Sequence, residues 1–166
     1  MPRPTQAVIA TTCLAVALAS TTLSSRAAEP ISVAYPADYR SWQHVKSMVI
    51  QPGHALYDSF GGIHHLYANP AALRGYASGT FPDGAVIAFD LLEANTADNA
   101  VQEGARKVLG VMEKDAKRFA ATGGWGFEGF AAGDPVRPVV GSDAATACFG
   151  CHTSQKASDY VFSKTR

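Results

Sequence analysis

The sequence predicts an α+β domain built mainly on an antiparallel sheet with short helices, and three observations carry that reading. A Pro-Asp-Gly turn opens onto alternation in "FPDGAVIAFDLLEA". A Gly-Gly break precedes an aromatic run, "GGWGFEGF". The helical patterns, "NPAALRGYASG" above all, are brief. At 166 residues, the chain is sized for one domain. Its 14 basic residues balance its 14 acidic ones, which gives no electrostatic footprint for nucleic acid.

The N-terminus comes first. "MPRPTQAVIATTCLAVALASTTLSSRAAEP" has Arg3 in a short n-region, an apolar run from Ala7 to Ala19, and Ser25 and Ala27 in the small-x-small pattern. Residues 1–27 are read as an export signal and 28–166 as the mature domain; the apolar run is shorter than the ~20 residues of a bilayer helix. The residues before Cys13 lack the pattern of a lipid-attachment box, so Cys13 leaves with the signal. The mature chain then keeps two cysteines, close together, and a slight acidic excess once Arg3 and Arg26 are gone.

From Tyr35, "YPADYRSWQHVKSMVI" runs out of a Pro-marked turn into a first strand ending at Met48, Val49 and Ile50. Gly61 and Gly62 separate Phe60 from a second strand, Ile63 to Ala68. Asn69 as N-cap, Pro70 at the first helical position and Gly79 as stop define a short helix. In the next strand Ile87, Phe89 and Leu91 share one face and Asp90 takes the other. The polar stretch "EANTADNAVQEGA" reads as an exposed loop, and "RKVLGVMEKD" as a strand because Gly110 interrupts any helix. A helical turn, the Gly-Gly break and an aromatic strand with Trp125, Phe127 and Phe130 follow, then a loop. A short C-terminal helix beginning near Ser142 or Asp143 presents "CFGCH".

Cys148, Cys151 and His152 in that motif have the spacing for covalent haem attachment, two thiols for the vinyl groups and an adjacent imidazole for the iron. A redox dithiol would need a βαβ context and a zinc site a second ligand pair, and the mature chain offers neither with cysteine. The reading is one haem c held through Cys148 and Cys151, with His152 as the metal ligand.

The second axial position decides the chemistry. After His152 the chain has neither Met nor His, so a second ligand would come from upstream: Met48, Met112, His44, His54, His64 or His65. Both methionines lie in apolar strand-like runs and read as core. His64 and His65 point to opposite faces of their strand, so one can face the haem, as an iron ligand or as a surface or propionate contact. The reading taken is a five-coordinate iron with an open side, covered by Phe60 and Phe89, whose alternative is ordinary core packing. Such a pocket is dry and lacks hydrogen-bond donors; it disfavours dioxygen and admits nitric oxide or carbon monoxide.

Several segments together resemble one family, the cytochrome P-460 and cytochrome c-prime-beta group of periplasmic c-type haem proteins. They are "YRSWQHV", "HHLYANPAAL", "GTFPDGAVIAFDLLE", "KDAKRFAATGGWGFEGF" and "ACFGCHTSQKASDYVFS", spanning Tyr35 to Phe162. The resemblance implies a mainly β fold, a homodimer, haem attached on the C-terminal side and a histidine ligand. One branch oxidises hydroxylamine and carries a lysine bonded to the porphyrin rim, at or next to Phe89 here. "PDGAVIAFDLLEA" contains no lysine, so that crosslink is not expected. The other branch has a phenylalanine cap over a five-coordinate iron and binds nitric oxide or carbon monoxide; Phe89 with Phe60 matches it. Trp125 and Arg40 match positions of a structural or haem-packing kind. Gas binding is therefore the leading expectation, with a hydroxylamine or nitric oxide oxidoreductase and an electron-transfer cytochrome serving a periplasmic redox partner as alternatives.

Overall fold

The computed structural model describes Met1 and residues 32–165; the signal segment and Cys13 lie outside the described residues. Five antiparallel strands form one sheet in sequence order: β1 (Gln43–Ile50), β2 (Gly62–Ala68), β3 (Val86–Ala97), β4 (Ala100–Lys114) and β5 (Trp125–Ala131). Two helices interrupt the meander, α1 (Tyr57–Phe60) and α2 (Pro70–Ser78), and a chain of short helical turns closes it over 141–158. The mainly antiparallel α+β expectation holds.

The helix α2 forms where Asn69 and Pro70 direct it. The Asn69 side-chain carbonyl accepts the Ala72 N–H at 2.8 Å, Pro70 occupies the first turn, and Gly79 ends the helix at φ 80°. The same Asn69 oxygen accepts Val86 N–H and its amide donates to the Gly84 carbonyl. One side chain thus caps the helix and fixes the entry to β3.

In-register pairs show which residues share a face of the sheet. Ala68, Ile87, Met112 and Phe127 form one row, and Leu66, Phe89, Gly110 and Gly129 the next. Ala68, Ile87 and Phe127 belong to a core completed by Ala72, Phe81, Trp125 and Val161, against which Cys148, Phe149 and Tyr160 pack. Full burial of side chains of this size contributes roughly 1.5–3 kcal/mol each. The opposite face, with Ala88, Leu109, Val111 and Phe130, is covered by Val33, Tyr35, Tyr39 and Trp42 of the N-terminal segment and by Phe119.

Asp90 is buried on that second face and is the hub of an ionic network. Its carboxylate accepts hydrogen bonds from Tyr39 Oη at 2.7 Å, from Arg106 through Nε and Nη2, and from Arg40 Nη2 at 3.3 Å. Burial alone would raise the Asp90 pKa, but the bonds from Arg106 and Tyr39 outweigh it and hold the carboxyl below its ordinary value. The Tyr39 hydroxyl is pushed up to about 12, by burial first and the Asp90 bond second. This network locks the segment before β1 onto the sheet.

Two expectations need correction. The stretch "EANTADNAVQEGA" is not a loop: Ala94 to Ala97 pair with the start of β4 beyond a bulge at Glu93, and Asp98 and Asn99, at φ 52° and 60°, make a two-residue turn. Its side chains are exposed, so no burial pattern marked the strands. Met48 is not core either, being 46% exposed on edge strand β1, whereas Met112 does pack against the core.

Candidate functional site

The CFGCH segment lies on the first face of the sheet. Glu128 prepares its approach: the carboxylate accepts the backbone N–H groups of Gly129, Val139, Val140 and Gly141, pinning the loop from β5. Helical turns follow as expected, starting at Gly141–Asp143. Ala145–Phe149 is a wide π-type turn and Gly150–His152 an α-helical one, here α3. Cys148 is half-buried and Cys151 exposed, and neither forms a disulfide. Burial first, then the charges of Glu128 and Cys151, raise the Cys148 pKa.

His152 is oriented through one nitrogen. Its Nδ1–H donates to the Tyr160 carbonyl at 2.7 Å, and the ring packs against Phe127 and Phe162 at centroid distances of 4.9 and 5.0 Å. Burial lowers its pKa, partly offset by the Tyr160 bond, which favours the neutral imidazole. The tautomer fixed by that bond leaves Nε2 as a lone-pair donor, the form that ligates a metal.

A second aromatic group lies one row further along the same face. Phe89 meets Phe60 edge-on at 5.9 Å and His64 at 4.6 Å. Phe60 ends α1 and is 41% exposed. His64 is 1% exposed, and its Nε2–H donates to the Phe60 carbonyl at 2.6 Å. Its Nδ1 is buried without a partner, and burial lowers its pKa. The structure therefore brings Phe60, His64 and Phe89 together and places them on the face that carries His152.

Between these groups the face carries no side chains on two strands. Phe89 is in register with Gly110 and Gly129, and a Cβ on Gly110 would sit 3.3 Å from Phe89 Cδ1. The Phe127 row and the Phe89 row are two residues apart, roughly 6.6–6.8 Å on strand geometry. Phe89 covers the Gly110 position, and Val139 and Val140 approach the Gly129 position from the loop after β5. The donor set on this face is two thiols and an imidazole with a free nitrogen, with phenyl rings alongside. The residues present fit a haem.

The family whose sequence pattern matches the chain is Cytochrome P460, over residues 36–163. The chain belongs to the cytochrome P460 family. Membership implies a haem cofactor, in agreement with the donor set just described. A comparison with curated proteins gave no match.

The other candidate ligands are placed elsewhere. His65 shares the second face with Asp90 and bonds Ser47 Oγ and Glu103, while His44 also bonds Ser47 and packs against Tyr67. His54 is exposed and accepts the Leu56 N–H. Met48 pairs across from His64 at the sheet edge. Arg40 belongs to the Asp90 network, and Trp125, fully buried, donates its indole N–H to the Asp159 carbonyl at 2.8 Å. Sequence reasoning missed Tyr160: its part is played by a backbone carbonyl, which no side-chain pattern reveals.

Proposed function

We infer that this chain is a periplasmic mono-haem cytochrome c of the P460 family that binds nitric oxide or carbon monoxide at a five-coordinate iron. Cys148 and Cys151 would hold the haem through thioether bonds, and His152 would ligate it through Nε2. A haem with one open axial face supplies reversible binding of diatomic gases and one-electron exchange.

The observation that carries this reading is the commitment of the only polar side chain in the Phe60–His64–Phe89 group. His64 spends its N–H on the Phe60 carbonyl, so among the described residues this group offers a ligand two phenyl rings and the unpartnered Nδ1 lone pair of His64, but no free hydrogen-bond donor. A polar bound dioxygen draws its stabilisation from such a donor, whereas nitric oxide and carbon monoxide bind without one. The lysines flanking the glycine row are engaged: Lys107 donates to the Gly61 carbonyl and Lys114 to Asp159. That supports a haem without a lysine crosslink, and so weighs against hydroxylamine oxidation.

The test is the ferrous absorption spectrum of protein matured in a host competent for c-type haem attachment, before and after each gas. A high-spin spectrum that shifts promptly with both gases is expected. A low-spin spectrum indifferent to carbon monoxide would replace this reading with an electron carrier, and a far-red-shifted Soret band with a crosslinked oxidoreductase. Among the described residues no helix is long and apolar enough to cross a membrane. Export fits the N-terminal signal, and its check is fractionation of expressing cells. A homodimer is expected from the family, with Met48, Val49, Leu56 and Tyr57, all more than a third exposed, as apolar surface for a second copy; sedimentation tests it.

A further inference from the structure

The carbonyl that holds His152 belongs to an unusual turn. Asp159 and Tyr160 are consecutive non-glycine residues with positive φ, 50° and 65°. Both are L residues in a conformation they rarely adopt; the Asp159 and Tyr160 N–H groups close the turn locally on the Lys156 and Gln155 carbonyls, and the surroundings add further restraint. Three tethers converge on Asp159. Lys114 Nζ donates to Oδ1 at 2.7 Å, the Phe81 N–H to Oδ2 at 2.8 Å, and the Trp125 indole N–H to the backbone carbonyl at 2.8 Å. Lys114 is itself 8% exposed, bonded to the Gly123 carbonyl and 5.0 Å from the centre of the Trp125 ring. The next carbonyl along, that of Tyr160, receives the His152 Nδ1–H.

A buried lysine and a carboxylate could simply be joining the end of β4 to the C-terminal segment. Two details point beyond that. All three tethers fall on the residue that sets the direction of the Tyr160 carbonyl, and they come from β4, β5 and the turn before β3, the rigid sheet side of the molecule. We propose that Lys114 and Asp159, with Trp125, are positioning residues that hold the Tyr160 carbonyl against His152 and so set the electron donation of the iron's histidine ligand.

The physical link is the strength of one hydrogen bond. An imidazole whose distal N–H donates to a well-placed acceptor gains imidazolate character and binds metal more strongly through its other nitrogen. Freeing the turn lets Asp159 and Tyr160 relax toward ordinary backbone, turning the carbonyl away and weakening that donation. This inference rests on His152 being the iron ligand.

The experiment is resonance Raman spectroscopy of the ferrous holoprotein, reading the iron–histidine stretching band, together with the ferric/ferrous potential. K114M and D159N are each expected to lower the band frequency and raise the potential. The double variant should shift them no further than the larger single change, and K114R should restore the wild-type values. If K114M yields no folded holoprotein, the isosteric D159N and W125F, which removes only the indole tether, decide the matter with smaller shifts of the same sign. Unchanged frequency and potential in D159N and W125F, even with reduced thermal stability, would overturn the positioning role while leaving the haem reading intact. A wild-type protein with no iron–histidine band would overturn both.

Discussion

Phe89 lies over Gly110, its Cδ1 only 3.3 Å from where a Cβ on that glycine would be. The pair is in register across β3 and β4, and Gly129 continues the row on β5. Phe89 keeps its place because its cross-strand neighbour has no side chain to displace it.

Truncating this ring should open the haem's second side. F89A is expected to speed carbon monoxide association by about tenfold or more, equivalent to ~1.4 kcal/mol less barrier. G110V, which drives a branched side chain into the ring, should change the same rate without removing it. Flash photolysis of the ferrous carbon monoxide complex measures both, and an F89A rate equal to wild type would mean that Phe89 does not cover the ligand.

Covalent attachment has its own readout. In the double variant C148S/C151S the haem should be extracted by acidified acetone and lost on a denaturing gel, while wild-type protein retains it. Retention in the double variant would show a bond to some other residue.

The Asp90 network predicts unequal costs. R106M leaves a carboxylate that is 1% exposed without its main partner, and a loss of about 3–5 kcal/mol is expected. R40M removes a side chain that is 61% exposed, and about 0–1 kcal/mol is expected. Urea unfolding of the two holoproteins compares them; equal losses would mean that Arg106 is not the principal partner.

Stability should also fall on mild acidification through His64. Burial holds its folded pKa below the ordinary 6.5, so above that pH both folded and unfolded forms are neutral and the full stability is present. As pH drops through 6.5 the unfolded chain takes up the proton first, and stability declines until the folded pKa is reached. Unfolding midpoints between pH 7.5 and 5 should therefore fall in the wild type and fall less in H64Q. Parallel curves would place the acid sensitivity elsewhere.

Much of this was legible in the sequence because the signals were local. Asn69, Pro70 and Gly79 spell out a helix in one short stretch, and the haem-attachment reading of CFGCH rests on five consecutive residues. The alternation around Phe89 placed Ile87, Phe89 and Leu91 correctly on one face because Asp90 interrupts the apolar run at the position a period of two assigns to the other face, although both faces are buried there. The hairpin beyond Leu92 escaped for the opposite reason. Both of its faces meet solvent, so selection for burial writes no period into Glu93 to Val101, and the Asp98-Asn99 turn carries no glycine. The burial of His64 and the exposure of Met48 depend on which strand lies at the edge, a tertiary fact. The turn at Asp159 and Tyr160 was invisible because its tethers come from Phe81, Lys114 and Trp125, far away along the chain.

The meander has a consequence for biosynthesis. Every strand pairs with its neighbour in sequence, so the sheet needs only short loop closures and can assemble quickly once the exported chain is free to fold. All five strands precede Cys148 in the chain. The expected order of events is scaffold first and thiols last: the attachment machinery would meet Cys148 and Cys151 on a nearly finished sheet, with Lys114 and Trp125 already waiting for the turn that follows His152. A pulse-chase experiment that finds haem attached to newly exported chains before the strands resist protease would reverse that order.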